Sequence, residues 1–137
     1  MSLGTRRLAR ITLVVREYDE AIAFYTGQLG FTLLEDTDLG NGKRWVRVAP
    51  SPHNGGAELL LGRATTPEQL ARVGDQTGGR VFLFLETEAF WDDYATFVGR
   101  GVAIARPPNE EPYGTVAVLC DLYGNLIDLI QPSGVSS

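Results

Sequence analysis

The chain has 137 residues, of which 44% are hydrophobic and 21% charged, with a formal net charge of −5 and a pI near 4.8. This length suits one domain, or one domain made of two fused half-units, and the acidic balance lacks the basic stripe that a nucleic-acid partner requires. No apolar run approaches the ~20 residues of a membrane span and no secretory signal opens the chain, so we expect no membrane partner. The single cysteine, Cys120, excludes an internal disulfide and a thiolate zinc cluster, which favours a cytoplasmic location.

The first half of the chain predicts the order strand, helix, strand, strand, strand. Residues 10–15 are apolar and β-branched, as expected of a buried strand. Asp19 is predicted to cap a helix whose core-facing stripe includes Tyr25 and which ends at Gly30. Further strands are predicted over residues 31–34, 44–48 and 57–61, with an Asn-Gly hairpin turn at residues 41–42.

A connector over residues 63–79 separates this half from a second one. Thr66-Pro67-Glu68 predicts a short helix to about Val73, because proline at the first helical position loses no hydrogen bond. Three glycines, at positions 74, 78 and 79, are expected to loosen the rest of the connector. The second half then predicts strands over 81–85, 102–105, 115–120 and 126–130, a helix that starts at Thr87 or Glu88 and closes at Gly101, and a Pro-rich loop over 106–114.

Two pairs of charged residues repeat at an offset of seventy positions, Arg10 with Arg80 and Glu58 with Asp128. Each arginine opens an apolar strand-like run, and each acid lies within another. Together with the repeated element order, this indicates a duplicated βαβββ unit: one domain over residues 8–132, with modules at 8–62 and 80–132. Matching residues contributed by two copies predict a single site on the axis between them.

Several segments carry a family resemblance when they are taken together, in order and at this spacing. They are Ile11-Thr-Leu-Val-Val15, Asp19-Glu-Ala-Ile-Ala-Phe-Tyr25, Leu29-Gly-Phe31, Glu58-Leu59 and Asp121-Leu-Tyr-Gly-Asn-Leu-Ile-Asp-Leu129. On these segments the chain resembles the vicinal oxygen chelate superfamily, which includes glyoxalase I, extradiol dioxygenases, and fosfomycin- and bleomycin-resistance proteins. The resemblance covers about residues 8–132. It implies an α+β fold in which two βαβββ modules curl into an open, mixed, β-barrel-like cleft, often with a dimer partner.

The resemblance also implies where a metal would bind. In metal-dependent members, His or Glu side chains hold a divalent ion at the positions that are here Arg10, Glu58, Arg80 and Asp128. A guanidinium has donors and no acceptor, so it cannot replace an imidazole or carboxylate ligand. We therefore expect no metal and no other cofactor, with a divalent metal at a shifted site as the alternative. Two interpretations stay open: the arginines form internal ion pairs with Glu58 and Asp128, or one guanidinium keeps its donors free to clamp a ligand oxygen.

The sequence offers further candidate residues in addition to these four. Trp45 could stack on a planar ligand or pack in the core, and Tyr113 could close over a ligand or pack within its loop. His53, the one histidine, lies in a Pro/Gly loop and matches no metal-ligand position. Cys120 is expected to be an inert thiol, because no histidine is placed to activate it.

The leading hypothesis is a metal-independent protein that binds a small organic ligand between Arg10, Glu58, Arg80 and Asp128, with Trp45 and Tyr113 as further contacts. One alternative is a lyase, isomerase or dioxygenase with Glu58 or Asp128 as the general base, or with a metal bound at a shifted site. Another is a non-catalytic structural or interaction module. A homodimer is expected, because open β-edges and apolar strand faces need cover.

Overall fold

The computed structural model describes residues 2–53 and 55–134, which form two four-stranded mixed sheets and three short helices. The strands of the first sheet are Arg10–Val15 (β1), Thr32–Gly40 (β2), Lys43–Ala49 (β3) and Glu58–Arg63 (β4), in the order β1-β4-β3-β2. Those of the second are Val81–Glu86 (β5), Ala103–Glu111 (β6), Gly114–Cys120 (β7) and Leu126–Pro132 (β8), in the order β5-β8-β7-β6. The pairs β1–β4 and β5–β8 are parallel, and the others are antiparallel. The predicted α+β fold of two βαβββ modules is confirmed, and the strands do not close into a barrel.

The helices follow the predicted order with shifted ends. The first, α1, spans Tyr18–Ile22 and continues as a π-helical stretch over Ala23–Gln28. The prediction that Asp19 caps this helix was wrong, because Glu17 is the extended residue before it and Asp19 lies in its first turn. A carboxylate there still stabilises the positive end of the helix. The connector helix, Pro67–Leu70 (α2), stops short of Val73, and α3 spans Phe90–Gly99. None of the helices within residues 2–53 and 55–134 is long and apolar enough to cross a membrane.

One hydrophobic core joins both modules. Side chains alternate across a strand, so each sheet has one face toward the helices and one away from them. The core-facing side chains include Leu13, Val15, Val46, Val48, Leu59 and Leu61 from the first sheet, Ala117, Leu119, Ile127 and Leu129 from the second, and Tyr25, Phe90 and Phe97 from the helices. Arg10, Arg47 and Glu58 have the opposite parity on their strands. These charged residues therefore lie on the face of the first sheet that points away from the shared core.

A buried carboxylate, Asp121, links the two modules. The Tyr25 hydroxyl donates to Asp121 Oδ2 at 2.7 Å, and the amide of Asn125 donates to the same oxygen at 3.0 Å. The backbone N–H groups of Tyr123 and Asn125 both donate to Oδ1 at 2.9 Å. The Asp-x-x-Gly-Asn segment is thus an internally bonded turn that holds the first helix against the start of β8.

The connector is fastened to both modules, although its glycines were expected to loosen it. The side-chain amide of Gln76 donates to the Thr12 carbonyl at 2.6 Å and accepts from the Val14 N–H at 2.8 Å, on the edge of β1 that pairs with no strand. Its backbone N–H donates to Asn125 Oδ1 at 3.4 Å. Gly74 has a φ of +79°, and a Cβ there would lie 2.0 Å from the Tyr123 carbonyl oxygen. Gly74 therefore permits a close backbone approach.

The prediction of a Pro-rich loop over residues 106–114 was wrong, because β6 runs through Pro107 and Pro108 to Glu111. The strand lies at the edge of its sheet, where an N–H that points away from the neighbouring strand can be absent without loss of a ladder hydrogen bond. Its pairing with β7 is irregular between Arg106 and Asn109. The hairpin turn that follows carries Tyr113, which is 58% exposed.

Candidate functional site

The first sheet carries a charged cluster around Glu58. Parallel pairing of β1 with β4 places Arg10 directly opposite Glu58, and Arg10 Nε donates to Glu58 Oε1 at 3.3 Å. Arg47, on β3, binds the same carboxylate with both edges of its fork: Nε to Oε1 and Nη2 to Oε2, each at 2.8 Å. Its remaining nitrogen, Nη1, donates to Glu35 Oε1 at 3.0 Å. Together with Trp45, these four charged residues form what we call the sheet-1 cluster.

These contacts fix the charge of Glu58. The hydrogen bonds from Arg47, followed by those from Arg10, lower the pKa of Glu58 to about 2 despite the opposing effect of burial. A carboxylate with so low a pKa is a weak proton acceptor at neutral pH, which does not favour Glu58 as a general base.

The donor set of this cluster does not fit a divalent metal. Both oxygens of Glu58 already accept hydrogen bonds from guanidinium groups, and the positive charge of Arg10 beside it repels a cation. Within residues 2–53 and 55–134, no group of three or more His, Cys, Asp or Glu side chains could hold such an ion.

Arg10 retains unused donors next to an aromatic surface. Its guanidinium carbon lies 5.9 Å from the centroid of the Trp45 ring, close enough for a cation–π contact. Trp45 is half-buried and lies on the same face of β3 as Arg47, two residues away. In the described part of the chain, Arg10 Nη1 and Nη2 have no hydrogen-bond partner. The cluster therefore offers a half-saturated guanidinium beside an indole ring, which can hold a planar ligand with an acidic oxygen.

The second sheet carries Asp128 in a different arrangement. Phe84, and not Arg80, lies opposite Asp128 in the β5–β8 register, because Arg80 precedes the first residue of β5. Arg80, Arg106, Phe84 and Asp128 line a cavity of about 780 Å³. Burial raises the pKa of Asp128, while the charge of Arg106 opposes this shift. Among the residues that the structure describes, none forms a salt bridge with Asp128.

The structure thus joins the four sequence-predicted residues in two pairs. Arg10 contacts Glu58 on the first sheet, and Arg80 shares a cavity with Asp128 on the second. Among the described residues, no hydrogen bond or salt bridge joins the two pairs, and we call the residues around each pair a half-site. Phe84 lies next to both half-sites, because it also lines a cavity of about 410 Å³ together with Glu58. His53 and Tyr113 are exposed and belong to neither, and burial raises the pKa of the Cys120 thiol, as expected of an inert group.

Sequence reasoning missed four residues of these half-sites: Glu35, Arg47, Phe84 and Arg106. The alternation of Trp45 and Arg47 along β3 was a usable signal, because residues two apart on a strand share a face. Arg106 was hidden by the prediction that its segment forms a loop.

Comparisons with known proteins agree with this fold. The chain belongs to the Glyoxalase/Bleomycin resistance protein/Dioxygenase superfamily, which it matches over residues 7–129. It is 54% identical over 125 residues to an uncharacterised protein of Shewanella frigidimarina, covering 90% of this chain and 92% of that one. The crystal structure of UcmS2 is similar at a TM-score of 0.80 and 28% identity, covering 93% of this chain and 98% of UcmS2. The crystal structure of TnmS3, an antibiotic binding protein from Streptomyces sp. CB03234, is similar at a TM-score of 0.72 and 30% identity, covering 96% of this chain and 100% of TnmS3.

Proposed function

We propose that this chain is a metal-independent protein that binds a small organic ligand, held by the arginines and carboxylates of its two half-sites. One observation carries the proposal: both oxygens of Glu58 accept hydrogen bonds from guanidinium groups, at a position where metal-dependent relatives use a ligand. A binding role fits this arrangement, because it needs no metal and no activated nucleophile. The similarity to TnmS3, which is named as an antibiotic binding protein, supports the same class of function.

A homodimer would join the half-sites. If the sheet-1 cluster of one copy faced the cavity of its partner, Arg10 and Glu58 would meet Arg80 and Asp128 across the interface. Twofold symmetry would then create two equivalent ligand sites. Phe84 supports this assembly, because it is 67% exposed on the outer face of β5 and would gain cover. The homodimer, the cytoplasmic location and a covering role for Tyr113 stay predictions.

Thermal denaturation of the purified protein against a panel of drugs and metabolites tests the binding function. A ligand is expected to raise Tm in the wild type and less so in Arg10→Gln, which removes the guanidinium with free donors. Arg72→Gln is the matched control, since the exposed Arg72 side chain pairs with the exposed Asp75 at 3.8 Å, outside both half-sites. A panel that leaves Tm unchanged would contradict the proposal, and so would stoichiometric metal that is lost in Glu58→Ala.

The enzyme alternative has one observation in its favour. Asp128 is desolvated, has a raised pKa and makes no ion pair among the described residues, which suits a general base better than the saturated Glu58 does. Turnover of a bound ligand by the wild type, abolished in Asp128→Asn with ligand affinity retained, would establish this second function.

A further inference from the structure

The cavity on the second sheet has the size and lining of a small-molecule site. Its volume of about 780 Å³ lies within the range of roughly 300–1,000 Å³ that such sites occupy. Its apolar wall is formed by Val81, Phe84, Val118 and Leu126. Phe84, on the edge strand β5, is 67% exposed, an unusual state for a phenyl ring. This wall suits the flat, apolar body of an organic molecule.

The charged part of the lining has an excess of cations. Two arginines, Arg80 and Arg106, face this cavity with one acid, Asp128. Neither arginine forms a salt bridge within residues 2–53 and 55–134. By contrast, Arg44 and Arg47 of the first sheet each pair with two acids. Two guanidinium groups that form no salt bridge among the described residues, beside one carboxylate, favour an anionic group in the cavity.

The backbone holds Arg106 toward this cavity. Arg106 pairs with Val118, and Val118 pairs with Asp128, so the three lie in one row on one face of the sheet. Pro107 and Pro108 follow directly, and the β6–β7 register shifts on both sides of Arg106. Such irregularities redirect side chains at sheet edges, and proline restricts the backbone of the residue before it. Arg106 is thus presented from a restrained edge strand.

We infer that this cavity binds the acidic group of an organic acid with an aromatic or apolar body, with Arg106 and Arg80 as the anion-binding residues and Phe84 as the surface for the body. This inference rests on the proposed binding function and deepens it by naming the ligand class. The sheet-1 cluster has no charge excess, because Arg10 and Arg47 are balanced by Glu35 and Glu58. Recognition of an acid is therefore assigned to the second sheet.

The test compares two probes that share one ring system, 2-naphthoate and the neutral 2-naphthylmethanol, by isothermal titration calorimetry on the full chain. The acid is expected to bind at least about tenfold more tightly than the alcohol. The Arg106→Gln substitution is expected to lower the affinity for the acid by about ten- to a hundredfold. Arg106→Lys, which keeps the charge and loses the planar fork, is expected to fall between. Arg100→Gln is the matched control, because Arg100 lies at the end of α3 outside this cavity.

Each outcome decides the inference. Equal affinities for the two probes, no binding of the acid, or an Arg106→Gln variant with normal Tm and unchanged affinity would overturn it. If a neutral or cationic molecule from the thermal panel bound instead, the ligand class would be wrong while the binding function stood. If neither the two probes nor any molecule of the panel bound, the ligand class and the binding function would both be wrong.

Discussion

Replacing Asp121 with asparagine is expected to lower the free energy of unfolding by about 2–4 kcal/mol. Asp121 is 5% exposed, and its carboxylate accepts four hydrogen bonds, two at each oxygen. An amide has one oxygen, so two of those donors would meet an NH₂ group. The Tyr25 hydroxyl can turn and accept, but the second donor would be left unsatisfied, at a cost of about 1–3 kcal/mol. The remaining bonds weaken as well, because their acceptor becomes neutral.

Urea denaturation followed by tryptophan fluorescence measures this effect through the extrapolated free energy and the slope m. Tyr25→Phe removes a single bond to the carboxylate and should cost about 1–2 kcal/mol. Asp92→Asn, an exposed acid in the first turn of α3, serves as the charge-matched control and should stay within about 0.5 kcal/mol of wild type. An Asp121→Asn variant as stable as this control would refute the assignment of the network as a link between modules.

Three further changes test other parts of the structure. Glu58→Gln should lower the free energy of unfolding by about 1–2 kcal/mol at neutral pH. Because the pKa of Glu58 is lowered from 4.5 to about 2 in the folded protein, the difference in stability from wild type should shrink as pH falls through this range. A difference that stays constant with pH in denaturation experiments would contradict this expectation. Gly74→Ala should destabilise the protein by more than about 2 kcal/mol and Gly78→Ala by about 1 kcal/mol. Both glycines have a positive φ, but of the two only an added Cβ at Gly74 would contact backbone atoms. Equal losses of stability in the two variants would show that the close approach of Gly74 to the Tyr123 backbone is unimportant. Gln76→Ala should speed hydrogen exchange of the Val14 amide, and unchanged protection would show that the side chain does not cover the β1 edge.

Local patterns predicted the element order because they depend on residues close in sequence. The Asn41-Gly42 turn and the stop at Gly30 are examples, as both glycines adopt positive φ. The register between distant strands is set by tertiary packing, and the seventy-residue offset could not reveal it. Pairing in the second sheet shifts between Val81 and Leu83, which sets Phe84 against Asp128, and Arg80 lies before the first residue of the strand.

The candidate site was predictable in part for the same reason. Arg10 and Glu58 were recognised by the seventy-residue repeat and by the metal-ligand positions that the resemblance implies, and the structure brings them into contact. Arg47 is the stronger partner of Glu58, yet it comes from β3 and reaches β4 across a pairing that no local pattern specifies. The Arg47–Glu58 ion pair is therefore visible only once the strands are assembled.

The fastening of the connector bears on how copies of this chain can associate. To exchange second modules with a neighbour, a chain would first have to release Gln76 from β1 and from Asn125, and free Tyr25 from Asp121. We therefore expect each protomer to keep its own two halves, and a dimer of the kind proposed above to form by surface contact. Such complexes would separate on dilution and reform on concentration without passing through a partly unfolded intermediate.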